Sequence, residues 1–270
     1  MKVIITLAGH SDRFKRLGYP EKAFIQLFDK LIIEHVVSMF SIDHRDLILI
    51  IRKDDSLANK VLKNLFNKAL IVPIDPNVDG PVVSVLSAEL DKIIRPSEEV
   101  VISYCDFYMR FNLDDMIEYM HSLNADGGIV THNGFHPHKL YNSSFAHLRQ
   151  RGLDVLEIRE KGCFTGNHIN EPASSGIYYF KRYQDMIKFF KICVSGNRVN
   201  NEFYVTMPFN DMISHGLRVV AYCVDNYVCL GTPKDLELVK AWRIIIDNMG
   251  DLSDYDVATT YRYWKQMGSY

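Results

Sequence analysis

Residues 2–22 read KVIITLAGHSDRFKRLGYPEK, and this stretch decides how the chain is read. Val3, Ile4, Ile5 and Leu7 form a short, nearly continuous apolar run, the pattern of a strand buried on both faces. The run ends in the small residues Ala8 and Gly9. A buried first strand that stops at a glycine turn directs backbone N–H groups to the carboxyl edge of its sheet, where phosphates bind. Arg13 lies four positions past Gly9, and Lys22 nine past Arg13. A guanidinium beside such a turn offers paired hydrogen bonds to phosphoryl oxygens. The segment therefore points to a nucleoside triphosphate rather than a neutral ligand.

Working outward, strand-like and helix-like segments alternate. Residues 3–7, 46–51, 70–74, 100–104 and 128–131 read as strands. Residues 30–40, 54–66, 81–94 and 114–123 have helical spacing of apolar residues, with Leu57, Val61, Leu62 and Leu65 expected on one inward face and Val82, Val85, Leu86 and Leu90 on another. This rhythm predicts an α/β fold: a Rossmann-like, mixed but mostly parallel central sheet with helices on both faces. After residue 131 segments shorten, and strands at 175–180 and 218–223 recur without long crossovers, which predicts an antiparallel addition. Residues 234–248 read as a closing helix with Pro233 at its start and Leu236, Val239, Trp242 and Ile246 on one face. The polar, tyrosine-rich tail beyond it is expected to cap the domain or to line a contact between copies in a homo-oligomer. One domain over residues 1–270 is expected, with 1–131 mainly nucleotide-binding, 132–232 mainly acceptor-binding, and 233–270 a helix and tail.

The composition narrows the function classes. With 270 residues the chain can bury a substantial core. A net charge of −2 gives no global basic field for nucleic acid or an anionic membrane, and Lys60, Lys63 and Lys68 read as a solvated face. No apolar run approaches the ~20 residues of a membrane span, and no signal pattern precedes the first strand. The five cysteines are scattered, without a CxxC pair, and read mostly as small buried hydrophobes. A cytoplasmic location is expected by default.

A second constellation is Val100-Val-Ile-Ser-Tyr-Cys-Asp106. A carboxylate directly after a buried strand sits at the sheet's carboxyl edge, beside the first loop. Magnesium prefers oxygen ligands, so one or two carboxylates plus phosphates suffice for it. Val78-Asp79-Gly80-Pro81 opens a helix, and Gly80 permits close backbone approach. Glu157-Ile-Arg-Glu160-Lys161 is followed by Ser174-Ser-Gly176-Ile-Tyr-Tyr-Phe180. A glycine heading a short apolar strand is read as having no packing advantage. Arg198-Val-Asn-Asn-Glu202 and Asp225-Asn-Tyr-Val-Cys-Leu-Gly231-Thr-Pro-Lys-Asp235-Leu complete the series.

Taken in order, these motifs resemble the sugar-phosphate nucleotidyltransferase family, which makes nucleoside-diphosphate sugars. The resemblance covers roughly residues 2–240 and marks a divergent member. Ser11 and Asp12 stand where that family has Gly and Ser or Thr, the prolines flanking Lys22 are missing, Gly162 replaces a proline, and Cys229 falls where its second metal-binding Asp belongs. The resemblance implies attack of an acceptor phosphate on the α-phosphorus of an NTP with release of pyrophosphate. It implies Arg13 and Lys22 as catalytic cations and a nucleotide wall of Leu7, Ala8, Gly9, Ser11, Asp79, Gly80 and Cys105. It implies an acceptor wall of Glu160, Lys161, Gly176 and Glu202, and Mg²⁺ held by Asp106, with Asp225 the nearest substitute for the second carboxylate. A sugar 1-phosphate acceptor and precursor synthesis for surface polysaccharide are the family's default. The His136-Pro137-His138 segment and the altered acceptor motifs leave room for another phosphorylated small molecule, as in a cytidylyltransferase for a non-sugar phosphate. A catalytically impaired nucleotide-sugar-binding subunit is the other alternative. A glycosyltransferase would usually carry Asp-x-Asp after the central strand, where this chain has Asp106-Phe-Tyr.

Overall fold

The computed structural model describes residues 1–76, 79–134, 145–166 and 168–249, with the side chains of Trp242 and of 244–249 left out. The His136-Pro137-His138 segment, Val78, the side chains of Trp242 and Ile246, and the tail lie outside the described residues. The strands are β1 Lys2–Thr6, β2 Gln26–Leu27, β3 Lys30–Leu31, β4 Leu47–Arg52, β5 Leu70–Ile74, β6 Val100–Ser103, β7 Phe107–Tyr108, β8 Gly127–His132, β9 His147–Arg151, β10 Asp154–Arg159, β11 Ala173–Phe180, β12 Val219–Val224 and β13 Val228–Cys229. The helices are α1 Asp12–Lys15, α2 Ile32–Ser38, α3 Ser56–Leu65, α4 Pro81–Ser87, α5 Leu113–Ser122, α6 Tyr183–Cys193, α7 Pro208–Ser214 and α8 Pro233–Met249.

Nine strands form one mixed sheet in the order β5-β4-β1-β6-β11-β8-β12-β10-β9. The β5-β4-β1-β6 half is parallel throughout, in keeping with the buried apolar runs of β1, β4 and β6, and β5 closes it as a half-exposed edge. The expectation of a mostly parallel sheet needs correction, because four of the eight neighbouring pairings are antiparallel. β11 runs against both β6 and β8, while β12 returns parallel to β8.

Alternate residues of β1 feed two cores, one on each face. Val3 and Ile5 pack with Ile33 and Val36 of α2, Leu62 of α3 and Met116 of α5. Ile4 packs with Val82 and Val85 of α4, Phe189 and Phe190 of α6 and Phe209 of α7. Period-2 alternation on a strand covered by helices on both sides produces this division.

Local differences from the sequence reading have local causes. Residues 30–31 pair with β2 before α2 begins, so the helix starts at Ile32. α4 ends at Ser87 and is followed by a 3₁₀ turn at Leu90–Lys92. Leu57 is 63% exposed rather than inward, because the buried face of α3 is carried by Ala58 and Leu62. Between β11 and β12 the chain does make a long crossover, through α6 and α7, where only short connections were expected. Cys105 and Cys193 are buried, but Cys223 is exposed. No helix among the described residues is long and apolar enough to cross a membrane.

Candidate active site

The carboxyl ends of β1 and β6 open into a cleft of about 550 Å³. Leu7, Ala8, Gly9, Ser11, Asp12, Arg13 and Lys22 line it from the first loop, and Gly80, Pro81 and Ser84 from the start of α4. Tyr104, Cys105 and Asp106 enter after β6, and Lys161, Glu202, Tyr204 and Gly231 close the far side. Residues more than 200 positions apart thus share one concavity, because parallel strands deliver their following loops to the same edge.

The first loop is shaped by its own side chains. Ser11 takes a left-handed backbone (φ 52°), and its carbonyl accepts from the amides of Phe14 and Lys15 to start α1. The Ser11 hydroxyl accepts from the Lys22 amide at 3.1 Å. The Ser11 side chain is thereby engaged in holding the loop together. Phe14 is buried and anchors α1, which leaves Arg13 exposed on the cleft side. Arg13 has no carboxylate partner among the described residues.

Lys22 meets Asp106 directly, Nζ to Oδ2 at 2.8 Å. Burial opposes the lysine charge, but Asp106 together with Cys105 and Cys229 outweighs it and holds the ammonium above its usual range. Beside the pair, burial pushes the Cys105 thiol up to about 11. Pairing of β7 with β13 places Cys229 opposite Phe107, and the Leu230 amide donates to the Asp106 carbonyl at 2.7 Å. Cys229, not Asp225, is therefore the side chain brought beside Asp106, next to the lining residue Gly231 and donating to Asp235. Burial also holds its thiol well above the usual range, so it stays neutral. Asp225 is exposed on the bend after β12 and does not line the cleft. Asp235 is turned to cap α8, accepting from the Thr232 amide at 2.8 Å.

This donor set suits magnesium only in part. Among the described residues no group of three or more His, Cys, Asp or Glu side chains could hold a metal. Asp106 is the carboxylate that follows β6 here, Glu21 is engaged by Lys15 and Arg52, and a neutral thiol is a poor magnesium ligand. One carboxylate does suit an ion that arrives already bound to phosphates.

The acceptor candidates separate into two layers. Lys161, at φ 52°, and Glu202 line the cleft, and the Lys161 ammonium stands 5.0 Å from the Tyr204 ring centre. Glu160 points away into a second cavity, where Thr206 donates to it. Burial raises its carboxyl above the usual range. Asp79 also turns from the cleft, pairing with Arg198 at 2.8 Å.

Both motif glycines have packing reasons. Gly80 has φ 100°, and a Cβ there would come within 2.8 Å of the Phe203 backbone. Gly176 has φ 90°, and a Cβ there would come within 2.7 Å of the Phe107 ring. The premise that a glycine at 176 has no packing advantage is thus overturned: it lies behind Phe107 and Tyr104, outside the cleft lining. Gly176→Ala is expected to destabilise the chain by roughly 2–4 kcal/mol, from backbone strain plus overpacking. Urea unfolding at wild-type stability would contradict this.

Sequence reading missed Tyr104, Tyr204, Pro81 and Ser84 as lining residues, since aromatic, proline and serine residues carry no motif at those places. It also missed Arg52. A charged residue ending the buried run of β4 was the available signal, the same one that singled out Asp106 after β6.

No protein-family model matches the sequence, and no curated protein matches it. Solved structures do match. A nucleoside-diphosphate-sugar pyrophosphorylase from Vibrio cholerae RC9 superposes with a TM-score of 0.71 at 18% identity, covering 88% of this chain and 98% of that one. The chain has the sugar nucleotidyltransferase fold. A putative glucose-1-phosphate thymidylyltransferase from Bacillus anthracis, in complex with sucrose, gives 0.67 at 15% identity over 91% of this chain and 96% of its own. A UDP-glucose pyrophosphorylase complexed with UDP-glucose gives 0.68 at 14% identity over 91% and 99%. Within this nucleotidyltransferase fold, the cleft is the concavity at the carboxyl edge of the parallel strands.

Proposed function

We propose that this cleft performs nucleotidyl transfer, in which an acceptor phosphate attacks the α-phosphorus of a nucleoside triphosphate and pyrophosphate leaves. The observation that carries the reading is Arg13, a cation on the cleft wall with no carboxylate partner among the described residues. A polyanion is the ligand such a side chain lacks. In this reading Arg13 takes the oxygens of the departing pyrophosphate, and Lys22 leaves Asp106 to meet the α-phosphate. Lys161 faces the acceptor phosphate across the cleft, and Glu202 accepts hydrogen bonds from acceptor hydroxyls. Leu7, Ala8, Gly9, Gly80 and Cys105 border the base and ribose. Catalysis here is positioning and charge neutralisation, with no covalent enzyme intermediate. Bound magnesium would supply further neutralisation of the phosphates, and Asp106 is the residue that would hold it.

The names of the structural neighbours favour a sugar 1-phosphate as acceptor, and hence a nucleotide sugar as product, of the kind that feeds surface polysaccharide. The test is a matrix of the four NTPs against phosphorylated acceptors, read by pyrophosphate release. Turnover in at least one combination is expected. Nucleotide-sugar binding with no turnover in any combination would instead establish a non-catalytic binding protein. One observation favours that second reading: Asp106, the carboxylate directly after β6, is tied to Lys22, with a neutral thiol beside it.

A further inference from the structure

We propose that Arg52 and Glu21 are positioning residues, forming a clamp that sets where Arg13 and Lys22 stand; the proposal rests on the phosphate reading of the cleft. Arg52 is the last residue of β4, and its side chain is only 8% exposed. A guanidinium buried that far needs a partner on each edge, and Arg52 has them. One terminal nitrogen donates to the Gly9 carbonyl at 2.9 Å, the other to Glu21 Oε1 at 2.8 Å, and Nε to Asp54 at 3.0 Å. Gly9 opens the phosphate-facing loop and Glu21 closes it, one residue before Lys22. A single planar group on a rigid strand therefore ties both ends of the loop.

Glu21 is held from several sides. Burial alone would raise its carboxyl, but Lys15, Arg52 and Ser11 together keep it below the usual range. Lys15 reaches Glu21 Oε1 at 2.5 Å, which ties α1 to the same carboxylate. The Ser11 hydroxyl then accepts from the Lys22 amide. Beyond these contacts the loop is anchored by Phe14, the one buried side chain of the four-residue α1, and by Tyr19, which packs on Phe14 and donates to Glu237 at 2.8 Å. Arg13 and Lys22 thus owe their spacing to polar contacts that converge on Glu21 and Arg52. An error of about 1 Å in placing such charges can cost about a hundredfold in rate.

The test uses the full chain, hydrogen exchange across residues 10–22, and calorimetric binding of inorganic tripolyphosphate. In Arg52→Gln the loop amides are expected to exchange at least tenfold faster while β1 and β6 keep wild-type protection, and tripolyphosphate affinity should fall at least tenfold. Arg52→Lys retains the charge but lacks the fork that spans Gly9 and Glu21, so it should fall between. Should Arg52→Gln fail to fold, Glu21→Gln carries the same test from the loop side. Wild-type loop exchange and affinity in these variants would overturn the clamp. Wild-type protein that does not bind tripolyphosphate would overturn the phosphate reading, while the exchange data would still decide whether the clamp holds the loop.

Discussion

Asp106→Ala should abolish pyrophosphate release while tightening the grip of the free chain on polyphosphate. The two effects have separate origins. Asp106 is the carboxylate paired with Lys22 in the cleft, and the proposed reaction needs it to manage charge around the transferring phosphate. Loss of such a contribution, worth several kcal/mol in the transition state, corresponds to about a thousandfold or more in turnover. The same carboxylate neutralises Lys22 across 2.8 Å. Without it the ammonium faces the cleft unpaired, and a metal-free polyanion should bind several-fold more tightly. Kinetics over the NTP–acceptor combination that turns over, and calorimetry with metal-free tripolyphosphate, read the two effects independently. A variant retaining turnover within tenfold of wild type would sink the assignment of Asp106. Unchanged tripolyphosphate affinity would show that the ion pair does not restrain Lys22.

The fold and the site were legible to different degrees. Buried parallel strands are read easily, because Val3–Ile5 and Val100–Ile102 are apolar without interruption and their following loops must emerge at one edge. That logic brought Gly9, Arg13 and Asp106 together without any coordinates. The second half resisted it. Its strands pair in both directions, which sequence does not announce, although Tyr183, Met186, Phe189, Phe190 and Cys193 of α6 recur at helical spacing. Contacts set by register were also out of reach. Lys22 meets Asp106 across 84 positions, and Arg52 meets Gly9 across 43. The glycines at 80 and 176 were recognised as special, but their neighbours, the Phe203 backbone and the Phe107 ring, come from elements that sequence alone does not place. Asp225 was chosen for its chemistry at roughly the right place in the chain. The β7–β13 pairing instead delivers Cys229, because the bend after β12 turns Asp225 to solvent.

Arg13→Ala is the second large effect, and its size separates a phosphate-binding cation from a solvated one. Exposed arginines on a helix surface contribute within about 0.5 kcal/mol when truncated. A positioned cation that meets charge developing in the transition state is worth roughly 3–4 kcal/mol, or about 10²–10³ in rate. Arg13 is exposed, and α1 is anchored by the neighbouring Phe14 and by the Lys15–Glu21 pair, so stability should not change measurably. The expected result is a fall in kcat/KM of about 10²–10³ at an unchanged melting temperature. Arg13→Lys should recover only part of the loss, since an ammonium supplies the charge without the paired N–H geometry. The division between kcat and KM locates the contact. A loss confined to KM would place Arg13 on phosphates held equally in the ground and transition states, whereas a loss in kcat would place it on the departing pyrophosphate. An effect below threefold in both parameters would return Arg13 to the solvated surface and remove the observation on which the phosphate reading stands.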